Sequence, residues 1–183
     1  MTERPLRADA RRNRERLLQV AMRAFSDTGP EVTLDSIART AGVGIGTLYR
    51  HFPTREALIE EVYRTELTRL CDAVPALLAD LPADQALRSW MDRYIDYMAA
   101  KRGLADALRV VIAAGGKPFA HSRERLVGAI TELLAAAGLG TVDAGDVLMA
   151  LSGISLAAGE PAQREQAGRL LDLLMDGLRF RRA

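Results

Sequence analysis

Residues 33–53 constrain the fold more than any other part of the chain, because they read as two short helices joined by a tight turn. Gly42 stands where the reversal needs a residue that accepts positive φ. The apolar spacing lets the two helices pack closely; these apolar residues are Ile37, Ala38, Ala41, Val43, Leu48 and Phe52. Such a pair lays its second helix in the major groove of DNA. The segment therefore predicts a DNA-binding domain.

Charge is unevenly distributed along the chain, although the formal net charge is only +1. Residues 1–55 contain ten Arg and six acidic residues, whereas the remainder contains fifteen basic and eighteen acidic residues. A basic N-terminal part on a mildly acidic body is typical of a nucleic-acid-binding domain joined to a part with another task.

Apolar residues recur at helical spacing along the whole chain, and no segment alternates as a strand does. We predict an all-α fold of about nine helices: a three-helix helix-turn-helix domain over residues 1–60 and a helical ligand-binding and dimerisation domain over residues 61–183. The connection between Pro75 and Pro82 is expected to be loose, with room for a helical turn. The predicted helices span residues 10–27, 33–41, 44–51, 55–74, 84–101, 104–114, 122–137, 143–158 and a last stretch ending near Phe180.

The single cysteine, Cys71, excludes an intrachain disulfide and indicates a reducing compartment. Its place on an apolar helical face favours a buried, inert thiol. No apolar segment follows the Arg-rich N-terminus, so no secretion signal is expected. The longest uncharged run, residues 147–159, is shorter than the ~20 residues of a membrane span. We therefore expect a cytoplasmic protein with no membrane contact.

Residues 32–58 resemble the N-terminal domain of the TetR family of bacterial transcriptional regulators. The most specific part is the run Gly-Thr-Leu-Tyr-Arg-His-Phe at residues 46–52, which follows the Ala-Gly-Val turn. The resemblance is close over residues 10–60 and extends further only as an all-helical layout of the right size. It implies a homodimeric repressor that binds a palindromic operator and releases it when a small molecule binds, with an activator as the alternative.

The resemblance implies DNA contacts from the two short helices and the residues flanking them. Thr33 would bind a backbone phosphate, and Thr47 a base or a phosphate. Gly46 would let the backbone approach closely, and Ile45, where the family often has a polar residue, would touch a thymine methyl group. The full predicted set is Thr33, Gly44, Ile45, Gly46, Thr47, Tyr49, Arg50, His51 and Arg55.

The remaining contacts in this set are charged or aromatic. Tyr49 and His51 would reach phosphates on either side of the groove, and Arg50 either a phosphate or a guanine. Arg55 occupies the position where the family usually has a phosphate-binding Lys. Gly44 replaces a frequent Ser, so that only backbone donors remain there. The structural alternatives are that Tyr49 packs on its own domain and that Arg50 is merely solvated.

The last two predicted helices carry the expected dimer interface. Two such helices from each subunit would form a four-helix bundle, as in the family; the alternative is that their apolar stripes form the core of one subunit. The predicted interface residues are Leu148, Leu151, Ile154, Ser155, Leu170, Leu171, Leu174 and Leu178.

Large, adaptable side chains in the middle of the chain predict a ligand pocket. By spacing alone such stripes are more often ordinary core, whereas the resemblance favours a pocket in this region. Because no charged residue clearly falls within the stripes, an apolar and largely neutral small molecule is expected. The predicted lining consists of Trp90, Met91, Tyr94, Tyr97, Met98, Leu108, Val111, Phe119 and Val127.

An enzyme is not expected, because the chain lacks a Gly-rich phosphate loop and a catalytic constellation at credible spacing. No cofactor or metal is expected either, since His51 lies at no ligand spacing from Cys71 or His121. The alternative function is a helical protein-interaction module that has lost DNA binding. Polar residues that the fold does not need, such as Thr47 and Tyr49, argue against that alternative.

Overall fold

The computed structural model describes residues 3–28, 31–113, 115–158 and 161–180. Every regular element in these residues is helical, which confirms the predicted all-α class. The described residues form ten α-helices: α1 (Glu3–Thr28), α2 (Leu34–Thr40), α3 (Ile45–His51), α4 (Arg55–Cys71), α5 (Val74–Asp80), α6 (Ala83–Gly103), α7 (Ala105–Ala113), α8 (Ser122–Ala136), α9 (Ala144–Ala157) and α10 (Arg164–Phe180). A 3-10 turn, Pro161–Gln163, precedes α10.

Two helical boundaries differ from the sequence prediction. Helix α1 begins at Glu3, earlier than the predicted residue 10. Helix α5 occupies the connection in which only a helical turn was expected. Pro75 lies in the first turn of α5, where a missing N–H costs no hydrogen bond. Val74 and Leu77 are buried, so packing stabilises this short helix.

The chain divides into two compact units. The first unit comprises Met1–Glu66 and Ala100–Pro118, and the second comprises Leu67–Ala99 and Phe119–Ala183. The divisions fall inside α4 and α6, so each of these helices contributes residues to both units. Within the described residues, none of the helices combines the length and the apolar character that crossing a bilayer requires.

The first unit is built around α1, which packs against α2 and α3. Helix α3 stops at Phe52, whose extended backbone (φ −135°) is the conformation favoured before a proline. Burial of each large apolar side chain contributes about 1.5–3 kcal/mol. The fully buried core residues of these helices and α4 include Leu17, Phe25, Ile37, Leu48, Leu58 and Ile59.

The second unit has an aromatic core centred on α6. Trp90 is completely buried, and its Nε1–H donates to the Leu70 carbonyl over 2.9 Å. The Trp90 and Tyr94 rings stack with centroids 6.0 Å apart. The Tyr94 hydroxyl lies 2.9 Å from Ser152 Oγ, which gives this polar group a partner inside the core.

Candidate DNA-binding site

Thr33 fixes the start of α2 through a reciprocal cap. Its backbone is extended (φ −87°, ψ 150°), and its Oγ1 accepts a hydrogen bond from the Ser36 amide over 3.1 Å. The Ser36 hydroxyl in turn donates to the Thr33 carbonyl over 2.8 Å. The cap satisfies amides that the first turn would otherwise leave unpaired. Thr33 remains exposed at the surface while holding α2 in place.

The turn between α2 and α3 has the left-handed glycine predicted from the sequence. Gly42 has φ 65°, and its amide donates to the Arg39 carbonyl over 3.0 Å. The Val43 amide donates to the Ala38 carbonyl over 2.9 Å. This pair of hydrogen bonds is a Schellman motif, which ends α2 sharply and redirects the chain into α3.

Helix α3 buries one face and exposes the other. Leu48 and Phe52 are 0% and 3% exposed, whereas Ile45 and Tyr49 are 38% and 50% exposed. Gly44 caps α3 without a side-chain hydrogen bond. The exposed face therefore carries the residues that the sequence predicted to meet DNA.

Gly44 and Gly46 flank Ile45 and leave open space around it. A Cβ added to either glycine would have no atom within 4 Å. Gly44 has φ −63°, so its backbone does not require glycine. Ile45 is thus the first side chain of α3 and stands clear of neighbours on either side.

Most of the predicted DNA-binding residues lie together. The cap residue Gly44 and the α3 residues from Ile45 to His51 are consecutive, and Thr33 stands at the start of the preceding helix. Thr47 and His51 are partly buried, while Arg50 is exposed. No distance along the sequence separates α3 from its role, so this part of the site was readable from local pattern alone.

Arg55 has a different environment from the other predicted contacts. Its guanidinium lies 5.1 Å from the centroid of the Phe25 ring, and Nη1 donates to the Val32 carbonyl. The side chain is half-buried within the first unit. The predicted phosphate contact is therefore replaced in this structure by contacts with the protein itself, because the aromatic ring and the carbonyl lie within reach of the guanidinium.

Sequence reasoning missed the role of Arg14. Its guanidinium lies 5.5 Å from the centroid of the Phe52 ring and forms an ion pair with Glu61. Arg14 thereby ties α1 to the end of α3 and to α4. No local sequence signal identifies this role, since the three residues are far apart along the chain.

The predicted dimer residues divide into core and edge. Five of the eight are buried in the second unit, which is the alternative that the sequence left open: Leu148, Leu151, Ser155, Leu171 and Leu178. Ile154, Leu170 and Leu174 are partly exposed. The correction arises because α9 is apolar on nearly every side, so that periodicity does not show which side faces outward.

The exposed apolar surface of α9 and α10 consists of other residues. Met149 and Leu156 are 64% and 80% exposed on α9, and Leu173 and Phe180 are 67% and 85% exposed on α10. The two residues of each helix are seven apart, so each pair shares one helical face. We call these four residues the outer apolar face.

The predicted ligand-lining residues do not form one set. Leu108 and Val111 are buried in the first unit, whereas the other seven belong to the second. Phe119 and Val127 line a surface groove of about 900 Å³ together with residues around the start of α9. The remaining five are packed as core or partly buried: Trp90, Met91, Tyr94, Tyr97 and Met98.

Two side chains outside the helix-turn-helix have shifted pKa values. Burial raises the pKa of the Cys71 thiol, with Arg125 opposing the shift and Asp72 adding to it. A raised pKa keeps the thiol protonated and weakly nucleophilic, in line with the inert thiol predicted from the sequence. Burial lowers the pKa of Lys101, whose Nζ lies 5.8 Å from the centroid of the Tyr63 ring.

A helix-turn-helix with a capped first helix, a Schellman turn and an exposed second helix defines the helix-turn-helix class of DNA-binding proteins. Residues 17–62 match the profile of bacterial regulatory proteins of the tetR family, and residues 82–180 match that of the SbtR-like transcriptional regulator C-terminal domain. The chain belongs to the TetR family of bacterial transcriptional regulators. Members of this family regulate transcription and are not enzymes.

Solved structures of TetR regulators share this fold over nearly the whole chain. The TetR transcriptional regulator SCO0520 from Streptomyces coelicolor is 53% identical, with a TM-score of 0.86 over 90% of this chain and 97% of that chain. A TetR regulatory protein from Mycobacterium vanbaalenii is 35% identical, with a TM-score of 0.76 over 94% and 98% of the two chains.

A curated relative resembles this chain over a shorter stretch. An HTH-type transcriptional regulator from Staphylococcus aureus (strain USA300) is 38% identical over 63 residues. The match spans 34% of this chain and 34% of the relative.

Proposed function

We propose that this protein is a ligand-responsive transcriptional repressor that binds a palindromic operator as a homodimer and is released by a small apolar molecule. The observation that carries the proposal is the exposed face of α3, held on a buried Leu48 and Phe52. A regulator of bacterial transcription acts where the DNA is, so we place it in the cytoplasm. Exposed polar residues on α3 disfavour a module that has lost DNA binding.

In the proposed complex, α3 enters the major groove with its N-terminal turn toward the base edges. Ile45 would contact a thymine methyl group, an apolar feature that marks this base in the groove. The absence of side chains at Gly44 and Gly46 would let the backbone come close to the groove walls. Thr33, Tyr49 and His51 would bind phosphates, which fix register without reading sequence.

Two copies are required for tight binding, because one recognition helix contacts only a few base pairs. We propose that the outer apolar face, with the partly exposed Ile154, Leu170 and Leu174 at its edge, packs against the same face of a second copy. The dimer would place its two α3 helices about 34–36 Å apart, one turn of DNA.

Release requires a ligand that prefers the state unable to bind DNA. Moving the population from 99:1 to 1:99 takes about 10⁴-fold preferential binding, or about 5.5 kcal/mol. The groove lined by Phe119 and Val127, of about 900 Å³, is within the range of small-molecule sites. Compounds would be screened for release of a duplex selected from random DNA. A compound that saturates the protein and leaves its affinity for that duplex unchanged would be no effector.

Replacing Tyr49 with alanine should weaken binding to all duplexes to a similar extent, by about tenfold. A hydrogen bond to a charged group contributes about 1.5–3 kcal/mol, and phosphates are the same in every sequence. The salt dependence should stay unchanged, because Tyr49 carries no charge. Fluorescence anisotropy with several duplexes measures both quantities. The matched control is Tyr49→Phe: wild-type affinity in that variant would show that Tyr49 only packs on its own domain.

Replacing Ile45 with alanine should change the base preference at one position in each half-site. Contact with a methyl group is worth about 0.8 kcal/mol, so the wild-type protein should prefer thymine over deoxyuridine there by about fourfold. The alanine variant should lose this preference, and Ile45→Val should keep part of it. If Ile45→Ala selects the same operator as the wild type, Ile45 does not read a base.

A further inference from the structure

Arg55 joins three segments of the first unit. It is the first residue of α4, its guanidinium lies 5.1 Å from the centroid of the Phe25 ring in α1, and Nη1 donates to the carbonyl of Val32 before α2. Phe25 is completely buried. The two contacts give the guanidinium a fixed position inside the domain.

These contacts depend on the shape of arginine as well as on its charge. A planar guanidinium can cover an aromatic ring while an N–H in its plane donates to a carbonyl. A lysine ammonium keeps the charge but is a compact and strongly hydrated group on a flexible stem. Lysine at this position would therefore keep the attraction for phosphate and lose the joint contact with Phe25 and Val32.

The Val32 carbonyl and the Thr33 amide belong to one peptide plane. Anchoring the carbonyl oxygen therefore fixes the orientation of the Thr33 amide and of the Thr33 side chain that follows it. Thr33 caps α2 through its Oγ1 and carries the proposed phosphate contact. A shift of this peptide would move both groups at once.

We propose that Arg55 is a positioning residue for DNA binding, which acts through the Val32–Thr33 peptide and does not itself contact a phosphate. The proposal rests on the proposed function, since it names how one DNA contact is held. It predicts that the charge of Arg55 matters less than its guanidinium, the reverse of what a phosphate-binding side chain would show.

The test uses the full chain and a duplex that the wild-type protein selects from random-sequence DNA, titrated by fluorescence anisotropy at several salt concentrations. Arg55→Lys should lower affinity by about tenfold with an unchanged salt slope, because the charge is kept. Arg39→Lys, at an exposed residue paired with Asp35, is the matched control and should stay within about twofold of wild type. Wild-type affinity in Arg55→Lys, with the slope reduced by about 0.9 per subunit in Arg55→Gln, would show a phosphate contact and overturn the proposal.

A double-mutant cycle separates positioning from general loosening of the domain. If Arg55 acts through Thr33, Arg55→Lys should cost less than about twofold in a Thr33→Ala background. Equal losses in both backgrounds would overturn the proposal. Amide NMR of the free protein gives a DNA-independent measurement: the Thr33 resonance should shift in Arg55→Lys and not in Arg39→Lys, and an unmoved resonance would also overturn it. A wild-type protein that selects no duplex would instead refute the proposed function.

Discussion

Replacing Leu173 with glutamate should convert the dimer to a monomer and weaken operator binding by at least about 100-fold. Leu173 is 67% exposed on α10, within the outer apolar face. A carboxylate there would have to lose its water against the same apolar face of a second copy, which is strongly unfavourable without a partner charge. Separating the two α3 helices removes the gain from linked half-sites, which is about 10²–10⁴ in affinity.

Sedimentation equilibrium and circular dichroism together check this prediction. The variant should remain helical and sediment as a monomer. Leu171 offers a contrast two residues away, since it is 0% exposed. Glutamate at Leu171 should unfold the second unit, so it would report on the core and not on the interface. A Leu173→Glu protein that stays dimeric and binds its duplex as the wild type does would place the interface elsewhere.

Replacing Trp90 with alanine should lower the free energy of unfolding by about 3–5 kcal/mol, the cost typical of removing a buried aromatic ring. Trp90 is 0% exposed, and its indole N–H donates to the Leu70 carbonyl. The substitution would leave a cavity and remove the partner of that carbonyl. Urea denaturation followed by circular dichroism measures the change.

The same measurement decides between the two interpretations of the aromatic stripe on α6. A core residue is expensive to remove, whereas a side chain lining an open ligand pocket is removed at little cost. Met98, which is only partly buried, provides the comparison, and Met98→Ala should cost clearly less than Trp90→Ala. A loss below about 1 kcal/mol for Trp90→Ala would support a pocket at this position.

The helix-turn-helix was predictable because its determinants are local. Gly42 at the turn and Leu48 on the buried face are separated by a few residues, and backbone geometry acts over the same distance. Helix α5 was missed because Pro75 resembles a helix breaker, although a proline in the first turn leaves the hydrogen bonding intact. Local pattern thus sufficed where packing and hydrogen bonding involve near neighbours.

The other differences arise from contacts between distant parts of the chain. The environment of Arg55 depends on Val32, 23 positions away, so no local pattern shows that its side chain turns inward. The outer face of α9 is equally hidden from sequence reasoning, because both its buried and its exposed sides are apolar. Met149 and Leu148 are adjacent in sequence, yet one is 64% and the other 5% exposed.

The central claim is that α3 of this protein binds duplex DNA through the phosphates and base edges of one groove. The most direct measurement is the affinity of the wild-type chain for its selected duplex as a function of salt concentration. The logarithm of the affinity should fall linearly with the logarithm of the salt concentration, with a slope of about −0.9 for each phosphate neutralised, and one dimer should bind each duplex. Absence of binding at low salt, or an affinity that does not change with salt, would contradict the account.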